Sequence, residues 1–212
     1  MSEASVTRAA VLEMKDERRA MHEGYVFLDE KCLLLGGEIL RGLARYGAID
    51  RELVAAQRTA TAALQAAVAR HGLGDLQLYP PLAQGDATLV RRSRSVMGVR
   101  LQDVEWQPAR EAAPASVQPS PEAEACRRAY VALIAAAARL AAISGNLERL
   151  SREYQRSVRR ARALQDVLLP ELEEQVRGVE TRLEELEQED AISMRRFSAQ
   201  GTAGAGGCSS AA

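Results

Sequence analysis

Two long stretches of the chain place apolar residues at alternating steps of three and four, and they flank a short segment that holds six of the seven prolines. The first stripe runs Met21, Tyr25, Leu28, Cys32, Leu35, Ile39, Leu43, Tyr46, Ile49, Leu53, Ala56 and Ala60. The second runs Ala129, Leu133, Ala136, Leu140, Ile143, Leu147, Leu150, Tyr154, Val158, Ala161, Leu164, Leu168, Leu172, Val176, Val179, Leu183 and Leu186. A stripe this narrow can be buried only against another helix. The pattern predicts an all-α chain, a long antiparallel two-helix coiled-coil hairpin with a short central β-hairpin insert.

An aromatic content of 4% over 212 residues agrees, since two paired helices enclose almost no interior. The net charge of −1 supplies no bulk electrostatic case for nucleic acid. Lysine occurs only at Lys15 and Lys31, so nearly all basic charge is Arg, a bias given no functional weight. Cys32, Cys126 and Cys208 form no CxxC pair. An antiparallel hairpin separates the first two by roughly 50 Å at ~1.5 Å per residue, which fits a reducing cytosolic compartment better than a disulfide framework. Met1 to Val6 lacks the charged and apolar regions of a signal peptide, and the apolar run Ala129 to Ala138 is about half of what a bilayer span requires. The expectation is a soluble protein, able to sit beside a membrane without spanning it.

Four segments are expected. Residues 1–72 form an N-terminal coiled-coil helix, capped by Ser5 or Thr7 and stopped by Gly72. Residues 73–119 form a central loop region broken by Pro80, Pro81, Pro108, Pro114 and Pro119. Within it Ala87 to Arg92 and Val99 to Trp106 suit a β-hairpin (about 87–106), with Ser93 to Gly98 available for the turn. Residues 120–197 form a second helix, with Ser120 as cap, Pro121 in the first turn, and Glu122 and Glu124 on the positive end of the dipole. Residues 198–212, rich in Gly, Ala and Ser, read as a disordered tail.

Several features interrupt the regular pattern. Gly24, Gly36, Gly37, Gly42 and Gly47 each cost up to ~1 kcal/mol against Ala in a helix interior. Close helix–helix approach, tolerated surface positions, a partner packed on that face or local compliance would each account for them. Pro170 removes a backbone hydrogen bond inside the second stripe and clashes with the turn before it. Charge changes sign at the same place: Arg152, Arg156, Arg159, Arg160 and Arg162 precede the proline, and Glu171, Glu173, Glu174 and six further acids to Asp190 follow it. Pairing with Glu on the facing helix is one reading of the Arg cluster; contact with an acidic partner is the other.

Catalytic chemistry is not evident. No GxxxxGK[ST] loop is present, His22 and His71 have no ligand-spaced companions, and the carboxylates of the second helix lie on a coiled-coil surface with no pocket to shift their pKa values. No catalytic residue, cofactor or metal site is expected.

Three stretches resemble a known family. Thr7 to Lys15 (TRAAVLEMK), followed by Gly24-Tyr25, Leu28 and Lys31, resembles the opening of the D subunit of the V/A-type rotary ATPases and ATP synthases. Arg159 to Pro170 (RRARALQDVLLP) is similar to that family's RRVNALENVxxP signature, with Arg162 in place of Asn and Gln165-Asp166 in place of Glu-Asn. Ser95 to Leu101 (SVMGVRL) resembles its NIMGVxxP element, with Gln102 where Pro is common. The likeness extends over about residues 6 to 197, leaving the tail uncovered.

The resemblance implies a non-catalytic central rotor shaft that couples ion translocation (H⁺ or Na⁺) to ATP synthesis or hydrolysis. Its implied partners are the ring of catalytic and regulatory nucleotide-binding A and B subunits, the small F subunit of the central stalk, and a socket-shaped C subunit (named d in eukaryotes) leading to the proteolipid ring. The implied location is the cytoplasmic face of the membrane, peripheral, within a membrane-bound complex. Arg156, Arg159, Arg160, Arg162 and Gln165 are the expected ring contacts, and Met97, Gly98 and Trp106 the contacts on the hairpin side. A coiled-coil adaptor or cytoskeletal tether would explain the stripes alone, and a helical nucleic-acid-associated protein would need a net basic face.

Overall fold

The structure is a computed structural model that describes residues 7–77, 87–108 and 119–204, the side chains of Gln77 and of residues 198–204 excepted. The elements are α1 (Arg8–Gln77), β1 (Thr88–Val96), β2 (Val99–Gln107), α2 (Pro121–Ala163), a π-helical turn (Leu164–Leu168) and α3 (Leu169–Gly204). Long helices with one small antiparallel hairpin between them are what the stripes and the central composition predict. The chain divides into two compact units, Met1–Asp29 with Val158–Ala212, and Glu30–Ser157.

In the first unit the start of α1 pairs with α3. Thr7 caps α1: its Oγ1 accepts from Ala10 N–H and its carbonyl accepts from Val11 N–H, both at 3.2 Å. The pairing is antiparallel, because Arg8 reaches Glu187 at 2.8 Å while Lys15, further along α1, reaches Glu180 at 2.6 Å. Val11, Ala161, Leu172 and Val176 are buried. Ahead of Pro170 the helix widens, and Leu169 N–H bonds the carbonyl of Leu164 in place of that of Gln165. Proline cannot donate, and its ring would collide with the carbonyl four residues earlier. The wider turn places the missing bond and the ring in one local irregularity, and it leaves Val167 and Leu168 exposed, with Leu168 off the seam expected for it.

In the second unit α1 pairs antiparallel with α2. Lys31 meets Glu153 at 2.6 Å and Arg139 meets Glu52 at 3.0 Å. His71 Nε2 lies 2.6 Å from Ser120 Oγ, and that buried hydroxyl also accepts from Ala123 N–H to cap α2. His71 thus ties the end of one helix to the start of the next. Gly72 adopts φ 74° and ψ 165°, a conformation open to glycine alone, so the helix breaks where the sequence predicts. It resumes afterwards to Gln77, and α3 runs past the expected end at Phe197 to Gly204. Residues 205–212 of the expected tail, including Cys208, lie outside the described residues.

The seam differs from the expected stripe at a few positions. Leu43 is exposed, and Gly42 takes the inward place beside it, so close that an added Cβ would sit 2.8 Å from Leu147 Cδ2. Tyr154 and Leu186 turn partly outward, while Ser157, a residue the stripe omits, is fully buried. A small side chain on the seam lets the helices approach where a larger one would hold them apart.

The β-hairpin is longer and its turn tighter than the composition implies. β1 extends through Val96, and only Met97 (φ 48°) and Gly98 (φ 83°) form the turn, both left-handed as a two-residue type I′ turn demands. Val99 and Leu101 insert between Leu35 of α1 and Leu150 of α2, with Ile39, Val96 and Met97 packed around them. Gln102 N–H donates to Asn146 Oδ1, and Asn146 Nδ2 donates back to the Gln102 carbonyl, both at 2.8 Å. Arg94 joins Glu38 at 3.4 Å, and Arg41 joins the same carboxylate at 3.0 Å.

Two outcomes are expected. Nothing lies within 4 Å of a Cβ added at Gly36, so Gly36→Ala raises the free energy of unfolding by up to ~1 kcal/mol and the thermal midpoint with it, whereas Gly42→Ile lowers that free energy by ~1–3 kcal/mol through overpacking against Leu147. The hydrogen bond from Arg94, helped by Arg41 against the opposing effect of burial, holds the Glu38 carboxyl below the usual carboxylate range. A depressed folded-state value makes this contribution complete above the ordinary carboxylate range and lost as pH falls through the depressed value. Denaturation midpoints recorded from about pH 6 to 2 should show a shallower acid decline in Glu38→Gln than in the parent chain.

Candidate functional site

The expected contact residues fall into separate groups. Arg159, Arg160, Arg162 and Gln165 lie on consecutive turns in the first unit, all exposed, immediately before and within the π-helical turn. Arg156 belongs to the second unit. It pairs at 3.8 Å with Glu153 of its own helix, as Arg152 pairs with Glu148 at 3.0 Å. These two arginines of the cluster therefore pair along α2 and not with Glu on the facing helix. Arg160 and Arg162 have no ion pair among the described residues. Both are exposed, on the same stretch of chain as exposed Val167 and Leu168.

On the hairpin the expected trio is split. Met97 is half-buried against the Leu35–Leu150 cluster, and Gly98 is exposed at the turn. Trp106 is half-buried near the other end of β2, paired with Leu89 and roughly 23 Å from Val99 at the usual rise of a strand. Met97 and Gly98 shape and anchor the tip, while Trp106 with exposed Leu89 presents an apolar pair elsewhere.

Two features lie outside the expected contacts. Both lysines of the chain form cross-helix ion pairs, Lys15 with Glu180 and Lys31 with Glu153, the latter with both side chains largely shielded from water. Their rarity in an Arg-rich chain was the available signal. The second feature is an apolar line on α1 facing away from the seam: Leu33 is 71% and Leu40 70% exposed, and Gly37, Ala44 and Gly47 continue the same helical face. Large exposed leucines bordered by small residues form a surface that another protein can approach closely.

A cavity of about 150 Å³ lies among α1, α2 and the hairpin, bounded by Leu101, Leu147 and Leu150 together with Glu38, Arg45 and Arg94. It has room for a few waters or one side chain. Helical residues Pro121–Phe197 also include an 18-residue window of mean hydropathy 1.5, long and apolar enough by composition to cross a membrane. Within the Ala-rich part of α2, Ala136 is buried and Arg139 pairs with Glu52 of α1, although only 11% of the window is buried.

Similarity to known proteins runs through all of these elements. The chain is 31% identical over 214 residues to the V-type ATP synthase D subunit of Anaeromyxobacter dehalogenans, an alignment covering 94% of this chain and 98% of the relative. It is 25% identical to the A-type ATP synthase D subunit of Pyrococcus furiosus (91% and 92% covered) and 24% identical to the V-type ATP synthase D subunit of Thermotoga neapolitana (90% and 95% covered). A family model described as the ATP synthase D subunit matches residues 10–199, which takes in both helical runs and the hairpin, and the chain belongs to that family.

Proposed function

We propose that this protein is the central rotor shaft of a V/A-type rotary ATP synthase or ATPase. It couples ion translocation across the membrane to ATP synthesis or hydrolysis in the surrounding nucleotide-binding ring, without catalysing a step itself. The observation that carries the reading is family membership spanning residues 10–199, the paired helices and the hairpin together. An adaptor built on the seam alone would have no use for the hairpin, which is fixed to both helices by Leu35, Leu150 and Asn146.

The physics of the seam suits that task. Each helix buries its stripe against the other, and ion pairs such as Lys31–Glu153 resist sliding of one past its partner. A load applied to a chain of this kind is transmitted along the seam. Transmission of this kind is reciprocal in free energy: whatever lets ion flow bias the nucleotide sites lets ATP hydrolysis bias rotor orientation.

Within this reading the exposed Arg160 and Arg162, with Gln165 and the nearby Arg159, contact the ring of A and B subunits. Arg156, already shared with Glu153, is a weaker contact. The hairpin side, Met97, Gly98 and Trp106, together with the Leu33–Leu40 face of α1, receives the small F subunit of the stalk. The Gly72–Ser120 end meets the socket-shaped C subunit on the way to the proteolipid ring. The protein is peripheral on the cytoplasmic side of the membrane.

Purification of the native chain from detergent-extracted membranes tests the assignment. It should travel with a nucleotide-binding ring and a small stalk protein; recovery as an isolated homodimer rules the shaft out. Ring contacts are tested separately by Arg160→Glu with Arg162→Glu in the assembled complex. Ion-coupled ATP turnover should fall at least several-fold while the isolated chain keeps its helicity. Unchanged turnover would remove those arginines from the contact set and leave the shaft reading to the purification.

A further inference from the structure

The hairpin has an open edge. Gln102 directs both its backbone groups away from β1, to Asn146, which makes Ser93↔Gln102 a non-hydrogen-bonded pair of the antiparallel ladder. By the same alternation Leu89, Arg91, Ser93 and Ser95 of β1 direct their N–H and C=O groups outward, away from β2. These groups meet no partner among the described residues. Whereas α2 reaches the outer edge of β2 through Asn146, β1 ends the two-stranded sheet.

Proteins ordinarily blunt such an edge with a short strand, a proline, a bulge or charged side chains. β1 has only the last: it runs nine residues, Thr88–Val96, in unbroken register from Thr88↔Gln107 to Val96↔Val99, and its charge is of one sign. Arg91, Arg92 and Arg94 lie on β1 with no acidic residue between Thr88 and Val96. Arg94 is engaged by Glu38, but Arg91 and Arg92 have no ion pair among the described residues. A second copy adding through the same edge would set arginines against arginines, which cross-strand pairing disfavours. Acidic side chains on an incoming strand would instead meet Arg91 on one face of the sheet and Arg92 on the other.

We propose that the outer edge of β1 is a docking strand, which takes an extended acidic segment of a partner protein as the third strand of the sheet. Backbone hydrogen bonds at Leu89, Arg91, Ser93 and Ser95 supply the attachment, and Arg91 and Arg92 select for acid. A two-stranded hairpin gains support from a third strand, so docking also stiffens the hairpin. The inference does not depend on the shaft reading.

Residue-resolved amide exchange tests it on the full chain, alone and with a capped Thr-Val-Glu-Glu-Val-Thr peptide or its Lys-Lys counterpart. In the free chain the outward amides of Arg91, Ser93 and Ser95 should exchange at least tenfold faster than the inward amides of Val90, Arg92 and Arg94. The acidic peptide should slow the outward set at least tenfold, and the Lys peptide should not. Ser93→Pro deletes one outward donor while sparing the ladder to β2, and should abolish the response with inward protection intact. Arg91→Glu with Arg92→Glu should transfer the response to the Lys peptide. The proposal is overturned by equal slowing with both peptides, by no slowing with the acidic one, or by a response that survives Ser93→Pro. Outward amides already slow in the free chain also overturn it: independence of concentration would mean that residues 78–86 or 109–118 cover the edge, and dependence on concentration that a second copy does.

Discussion

Everything in this protein rests on the mutual burial of narrow apolar stripes between antiparallel helices. Neither helix has a second layer to turn to, so a position on the seam is covered by its opposite number or left wet. Leu35, Ala60, Ala67, Ala136 and Leu150 are nearly inaccessible, whereas Leu33 and Leu34 beside them are more than half exposed. Burying a leucine contributes roughly 1.5–3 kcal/mol, while a surface ion pair contributes about 0–1 kcal/mol. The apolar seam therefore supplies stability, and pairs such as Lys15–Glu180 and Arg139–Glu52 chiefly fix which residues stand opposite one another.

The hairpin is the exception to two-helix construction, and it depends on the seam in a different way. Two strands alone are marginal in water. Here Val99 and Leu101 at the tip wedge between Leu35 and Leu150, and Asn146 offers Gln102 the pair of bonds that a neighbouring strand would have offered. Arg149 donates to Asn146 Oδ1 at 2.7 Å and so orients the amide. Attachment is concentrated near the tip, and β1 is left open along its length.

The pattern of steps of three and four made the helices and their pairing legible in the sequence, and capping chemistry made Ser120 legible and narrowed the first cap to Ser5 or Thr7, because helix periodicity and capping are local in the chain. The break at Gly72 and the disturbance at Pro170 were legible for the same reason. The details of the seam were not. That Gly42 replaces Leu43 on the inner face, or that Ser157 is buried in preference to Tyr154, depends on how closely the two helices approach, a quantity no single stripe contains. The two-residue turn was not legible because Met97 is an unusual residue for a left-handed position, favoured here by its packing against the Leu35 cluster. Of the candidate contacts, the family-like motif located Arg159 to Gln165 on one stretch. Only the structure separates Arg156, already paired, from Arg160 and Arg162, which have no ion pair among the described residues.

A regular coiled coil presents nearly the same surface every heptad, and such a surface gives a surrounding protein little by which to tell one rotational position from another. On the shaft reading proposed above, the irregular features of this chain supply the difference. The π-helical turn at Leu164–Leu168 exposes Val167 and Leu168, the Arg-rich stretch changes to an acidic one across Pro170, and the hairpin adds mass and charge beside α1 and α2. The π-helical turn ahead of Pro170 departs from ideal helix geometry at a local cost in stability. On the shaft reading those features are the means by which one orientation differs in energy from the next. On that reading the seam supplies stiffness and the breaks in its regularity supply direction, so a variant that idealised the helix across Pro170 would trade discrimination for stability.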